Sequence, residues 1–460
     1  HFPQNNHETE NMKFFSACLF VLLFVSSSFG QASSDAALRR AMRLDNDQRD
    51  ASGKLPTLTA EEHLARAEAY SANRMFPQAR EHWQKVFDNY PEHEGTAKAL
   101  FGTARSYMWE KQYDKAVFWF EKLSPGYIDT KEGREGLAFK GASLVRLGKN
   151  IEAAKVYEQY TAMFPQGERV ESSHLNIIDA YREAGKYDEA NRWVDRTVSK
   201  FAGKPSEVNA LHARLRFEIY RENWASAIST ADRLLSRGSF AGAMAGSDEI
   251  KWLRALALEK SGKKADANAA FSSLAASNSY FGGLAADRNG GDKDLSGSAS
   301  EYPVMFRTEL LASARKNKID PRFVLAIMKQ ESSFRANAKS PAGARGLLQL
   351  VFDTAVKYNK QAGYPNLHPD DLYSPATNIA IGSAYIGDLK GQFSGLYEAI
   401  AASYNGGEDN AARWLARSKP KEAGIFTAEV GFAESKAYVF KVMNNYRVYR
   451  TLYTEDLQRR

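Results

Sequence analysis

One carboxylate stands where a helix should bury it. Asp320-Pro321 pairs an N-cap residue with a proline suited to a first helical turn. Val324, Ile327 and Met328 follow at helical spacing, Glu331 takes the next position on that stripe, and Phe334 continues it. That spacing predicts an amphipathic helix with Glu331 on its buried face. Burying the charge costs several kcal/mol unless it is paired, or unless its pKa rises and the group stays protonated. A carboxylic acid kept neutral near pH 7 is what a general acid requires. Periodicity alone leaves two plainer readings open: a salt-bridged glutamate, or one turned outward at the helix end.

The surrounding residues narrow the choice. Gln330-Glu331-Ser332-Ser333-Phe334 is followed by Gly343-Ala-Arg-Gly346-Leu347-Leu348-Gln349-Leu350. Then come Pro375-Ala-Thr-Asn378 through Tyr385, Ser403-Tyr404-Asn405-Gly406-Gly407, and Glu434-Ser-Lys-Ala-Tyr438-Val439. In order and spacing these resemble the motifs of the goose-lysozyme-like catalytic domain of soluble lytic transglycosylases, E-S-x-F, G-A-x-G-L-M-Q, A-Y-N-[AG]-G and E-[ST]-x-x-Y-V. The resemblance covers about 150 residues, and Tyr280 to Arg288 is similar to the segment that joins helical superstructure to catalytic part in large members. Leu348 stands where the family has methionine, a volume-conserving change. Val351-Phe352 replaces Met-Pro, and Ser403 replaces alanine.

The resemblance implies a peptidoglycan lytic transglycosylase that cleaves between N-acetylmuramic acid and N-acetylglucosamine and leaves 1,6-anhydromuramoyl ends. Glu331 would be its sole acid/base residue and Tyr404 would hydrogen-bond and orient it. Ser332, Ser333, Leu348, Gln349, Asn405 and Glu434 would line or hold the sugar strand. Which serine points inward is open, and Glu434 is equally readable as a helix N-cap. Tyr358, Tyr364 and Tyr385 suit either sugar stacking or half-buried packing. The glycines of these motifs serve turns and close approach.

Other chemistries find little support. No metal or cofactor is expected: His368 is the only histidine after residue 300 and no H-E-x-x-H occurs, which also removes a Ser–His hydrolase from this region. Two alternatives stay open, a lysozyme-type hydrolase of the same bond and a non-catalytic wall-binding protein that works through its repeats. The hydrolase would need a poised water and usually a second carboxylate.

The elements that position these residues are helical throughout, so the fold class is all-α. Ahead of the motifs, Ala79, Ala116, Ala153, Ala190 and Ala227 recur at intervals of 37 residues, and a looser copy at Ala267 follows after 40. A small residue lets helices approach, and an aromatic four positions on shares its face, as in Ala116-Val-Phe-Trp-Phe120. Fixed periods of this size mean a superhelix of paired helices resembling tetratricopeptide repeats, a TPR-like solenoid. Such an array is scaffold, wrap or docking surface for protein partners. We read residues 33–287 as this array, 288–301 as a Gly/Ser/Asp-rich linker, and 302–460 as the lysozyme-like α-helical domain.

At the start, residues 1–11 read as an upstream extension. Met12-Lys13, the apolar run Phe14–Val25 and the small residues after it read as a signal peptide over 12–32. Twelve apolar residues are too few to cross a bilayer, so no integral membrane segment is expected in the mature chain. The single cysteine, Cys18, lies inside that segment, on the wrong side of the apolar run for a lipid anchor. Its removal excludes disulfides, a cysteine nucleophile and thiolate metal sites. Without residues 1–30 the chain keeps 61 basic against 53 acidic residues, a surplus of +8 that suits a polyanionic wall. Export, to a periplasm by resemblance, argues against nucleic acid as a partner.

Overall fold

The computed structural model describes residues 28–289 and 300–460. The extension at 1–11 lies outside them, as does the signal segment apart from Ser28–Ala32, which open a helix over Ser28–Gln48. The linker read at 288–301 also lies outside, save for its ends. Among the described residues the chain is helical, with only three isolated β-bridges.

Six helix pairs follow the predicted period. Their second helices begin at Phe76, Tyr113, Asn150, Tyr187, Trp224 and Lys264. In each, the repeating alanine is the fourth residue, and all six alanines are 0% exposed. Four positions on, Trp83, Phe120, Tyr157 and Phe271 are buried aromatics, whereas the fourth and fifth pairs use Val194 and Ala231. Small residues at the crossing and large ones one turn later give each pair the same close packing.

The turn inside each pair is as regular as the alanines. Arg74, Lys111, Gly148, Gly185, Glu222 and Gly262 lie five residues before the six alanines, and every one has a left-handed backbone, with φ between 60° and 86°. The amide of the next residue closes the motif: Met75 to Tyr70 O, Gln112 to Tyr107 O, and so on to Lys263 to Leu258 O. This six-to-one bond is the Schellman helix stop, which favours glycine. The three side chains tolerated there share a feature. Arg74 pairs with Asp353 at 2.9 Å, Lys111 with Asp409 at 3.1 Å, and Glu222 with Lys419 at 2.8 Å. Asp353 and Asp409 belong to C-terminal helices, and Lys419 to the loop before the Ala423–Glu429 helix.

Those C-terminal helices surround the Pro321–Ser332 helix. Asp320 caps it by accepting from the Arg322 amide at 2.9 Å. Phe323, Val324, Leu325, Ala326, Ile327 and Met328 are all 0% exposed, so this helix is apolar on every side rather than along one stripe. It packs on the long Ala433–Leu452 helix through Tyr438, Val439, Val442 and Tyr446.

The array is joined to this unit by buried charge. Glu429 accepts from Arg182 at 2.6 and 2.8 Å and from Arg216 at 2.9 Å, with all three side chains under 10% exposed. Lys436 donates to Glu249 at 2.9 Å, and His212 Nε2 lies 2.8 Å from the same carboxylate. Tyr280, from the segment that follows the sixth pair, donates to Glu398 at 3.0 Å. Trp252 lies flat enough on Gly424 that any side chain there would overlap the indole.

Candidate active site

Glu331 sits in the last turn of the Pro321–Ser332 helix and is 5% exposed. Ser333 and Phe334 turn left-handed, at φ 49° and 64°, so the helix stops and Phe334 does not extend the stripe. Phe334 instead packs half-buried against the core. Burial pushes the Glu331 carboxyl up to about 7, opposed by a hydrogen bond from Tyr438 and assisted by the charge of Glu434. Tyr438 donates to Glu331 Oε1 at 2.6 Å.

The resemblance gives the orienting role to Tyr404, but the phenol bonded to Glu331 is Tyr438. Tyr404 donates to the carbonyl of Leu348 at 2.6 Å. Its ring lies near enough to Glu331 for that charge to hold its hydroxyl protonated, with burial the larger cause. Glu434 and Tyr438 are four apart on one helix face, and both act on Glu331. That i, i+4 pairing inside the quoted motif was the signal that could have placed Tyr438 near Glu331.

The loop from Ala338 to Leu350 forms the wall opposite. Asn378, fully buried, clamps it: Oδ1 accepts from the Leu348 amide at 2.8 Å, and Nδ2 donates to Arg345 O at 2.9 Å and Leu372 O at 2.8 Å. Gly346 has φ 80°, and a side chain there would overlap Leu372 O and the Asn378 amide. Leu348 therefore meets the site through its carbonyl, while its side chain is buried on Gly382. That differs from a side chain lining the cleft. Gln349 directs Nε2 to the carbonyls of Ala338 and Gly346, at 3.1 and 2.8 Å.

The two serines separate cleanly. Ser332 is fully buried and donates to Leu347 O at 2.8 Å, so it ties helix to loop; Ser333 is exposed. Asn405 accepts from Ser435 at 2.6 Å, which joins the Tyr397–Gly406 helix to the start of the Ala433–Leu452 helix. Glu434 is exposed in the first turn of that helix, and the N-cap position is Phe432. Tyr358, Tyr385 and Tyr404 form a ladder with ring centroids 5.2 and 5.3 Å apart. Tyr364 packs against the core. Among the described residues no cluster suited to a metal ion occurs.

Known proteins resemble both parts of the chain. The transglycosylase SLT domain family matches residues 310–426, and a tetratricopeptide-repeat family matches residues 140–206. Residues 310–426 are an SLT domain by this match.

Relatives of the SLT domain include the soluble lytic murein transglycosylase of Salmonella typhimurium, 31% identical over 151 residues. That alignment takes in 32% of this chain and 23% of the relative. Membrane-bound lytic murein transglycosylase C of Salmonella arizonae is 34% identical over 161 residues, 30% of this chain and 44% of the relative. The chain thus spans less than half the length of the curated relatives it matches. Two solved structures share the whole architecture, repeats and SLT domain together. An inactive mutant of lytic transglycosylase Slt from Pseudomonas aeruginosa aligns over 90% of this chain and 85% of its own, at 15% identity and TM-score 0.50. A 70-kDa soluble lytic transglycosylase in complex with bulgecin A aligns over 93% and 87%, at 17% identity and TM-score 0.52.

Proposed function

We propose that the chain is an exported peptidoglycan lytic transglycosylase. The observation that carries this reading is Glu331, buried at the end of an apolar helix and pushed up to about 7. Held protonated, it donates to the glycosidic oxygen between N-acetylmuramic acid and N-acetylglucosamine. The substrate's acetamido group assists at C1, so no second carboxylate is required. Glu331, now a base, takes the proton of the muramoyl C6 hydroxyl as that oxygen closes on C1. The product carries a 1,6-anhydro end, and no water enters the bond.

Tyr438 and Tyr404 border the acid. Ser333, Asn405 and Glu434 contact the strand, and Ser332, Leu348 and Gln349 shape the wall behind it. Residues 12–32 direct export, and the array at 33–287 carries the SLT domain of 302–460 across the linker at 288–301. Among the described residues no helix is long and apolar enough to cross a membrane.

The test is mass spectrometry of purified peptidoglycan digested with the chain, beside Glu331→Gln. Anhydro-ended muropeptides from the unsubstituted protein alone support the reading. One observation favours a hydrolase as second reading: Glu434 is a carboxylate whose charge reaches Glu331. Reducing ends in the same digest would establish that alternative.

A further inference from the structure

Several buried or half-buried arginines of the array are matched by carboxylates. Arg66 pairs with Asp45 at 2.6 Å, Arg80 with Glu110 at 2.8 Å, and Arg169 with Glu135 at 2.6 Å. Arg182 and Arg216 share Glu429. Arg146 is also lowered to about 10 by burial, and it meets the hydroxyl of Tyr113, itself bonded to Asp409, instead of a carboxylate.

Arg105 has neither a carboxylate nor a hydroxyl of its own. Its Nη2 is buried with no hydrogen-bond partner, and the acid its charge feels, Glu135, is already held by two bonds from Arg169. What surrounds the guanidinium is aromatic: Trp109 at 4.4 Å, Phe139 at 5.5 Å and Phe101 at 5.6 Å to the ring centroids. Phe101, Arg105 and Trp109 lie at i, i+4, i+8 on the Thr96–Trp109 helix, so they form one stripe. Burial among these rings lowers the arginine to about 10, the direction expected of a cation lacking a counter-charge. The residue as a whole stays partly open to solvent.

Arg105 lies eleven residues before Ala116, as Asp179 does before Ala190 and Arg216 before Ala227. Those two equivalents reach the C-terminal helices, Asp179 to Arg417 and Arg216 to Glu429, whereas Glu68, the equivalent in the first pair, binds Lys98 within the array. Arg105 holds the same position in the second pair. Just beyond it, Lys111 and Tyr113 bind Asp409, two residues after the Tyr404–Gly407 motif.

We infer that Arg105, walled by Trp109 and Phe139, is a subsite for a carboxylate on the peptide stems that peptidoglycan strands carry. The guanidinium pairs with the carboxylate. The inference rests on the glycan-strand reading above and adds to it a second point of attachment outside the SLT domain.

The test uses the full chain with Glu331→Gln, so that strands are bound and not cut. Calorimetry at low salt compares glycan strands bearing tetrapeptide stems with the same strands stripped by an amidase. We expect the affinity ratio of peptide-bearing to stripped strands to fall about ten-fold in Arg105→Met. Arg105→Lys should recover part of it, since charge returns without the fork. Melting curves confirm that each variant is folded. An unchanged ratio, or affinities for both strands falling in step, overturns the subsite. Failure to bind either strand with Arg105 intact counts against the glycan reading itself, and removes the subsite with it.

Discussion

The hydroxyl of Tyr438 reaches 2.6 Å to Oε1 of Glu331. A donor to a carboxyl oxygen favours the ionised form, so this bond lowers a pKa that burial has raised. Tyr438→Phe should therefore move the alkaline limb of the kcat profile to higher pH. It should also cut kcat by ten- to a hundred-fold, on the order of a lost acid–base contribution. A profile with unmoved limbs would mean that the phenol only packs.

Glu434→Gln should shift the same limb the other way. Its negative charge raises Glu331, so neutralising it lowers the pH at which the acid is lost. Opposite displacements in the two variants, measured on one substrate, separate electrostatic tuning from general damage to the site.

Stability provides a check independent of turnover. Glu331 is raised in the folded chain from an ordinary 4.5 to about 7. The unfolded chain therefore releases this proton first, and the site costs stability progressively as pH climbs from about 4.5 to 7. Below that window both states hold the proton and there is no cost. Glu331→Gln should raise the melting temperature at pH 8, by up to about 3 kcal/mol in stability, and change it little at pH 4. An equal gain at both values would refute the raised carboxyl.

Glu429 holds Arg182 and Arg216 out of water at the junction of array and SLT domain. Glu429→Ala leaves Arg182 without its carboxylate and Arg216 with Asp179 alone, 3.8 Å away, and should cost about 3–5 kcal/mol. Chemical denaturation would show it, together with a second transition if the array and the SLT domain then unfold apart.

The period of 37 residues, the buried alanines and the acid at the end of its helix were all legible, because each rests on local spacing. The Schellman turns were half legible: Gly148, Gly185 and Gly262 advertise a left-handed residue, while Arg74, Lys111 and Glu222 hide one. Motif order places both Tyr404 and Tyr438 near Glu331 without saying which hydroxyl is closer, so the bond from Tyr438 was not legible. Asn378 was quoted only as part of a helix, and its three backbone partners lie up to 33 residues away. The Glu429 and Glu249 clusters join segments more than 180 residues apart, and no periodicity carries information over that range.

The left-handed turns have a consequence for how this array can change. Solenoids usually lengthen or shorten by duplicating or losing whole units, because each unit touches only its neighbours. Here the turns at Arg74, Lys111 and Glu222 are each fastened to a fixed point on one globular body. Inserting a unit between Lys111 and Glu222 would carry one fastening away from its anchor while the other stayed. The number of copies between those points is therefore held, and since Glu249 and Tyr280 tie down the last pair as well, variation in length is left to the N-terminal end.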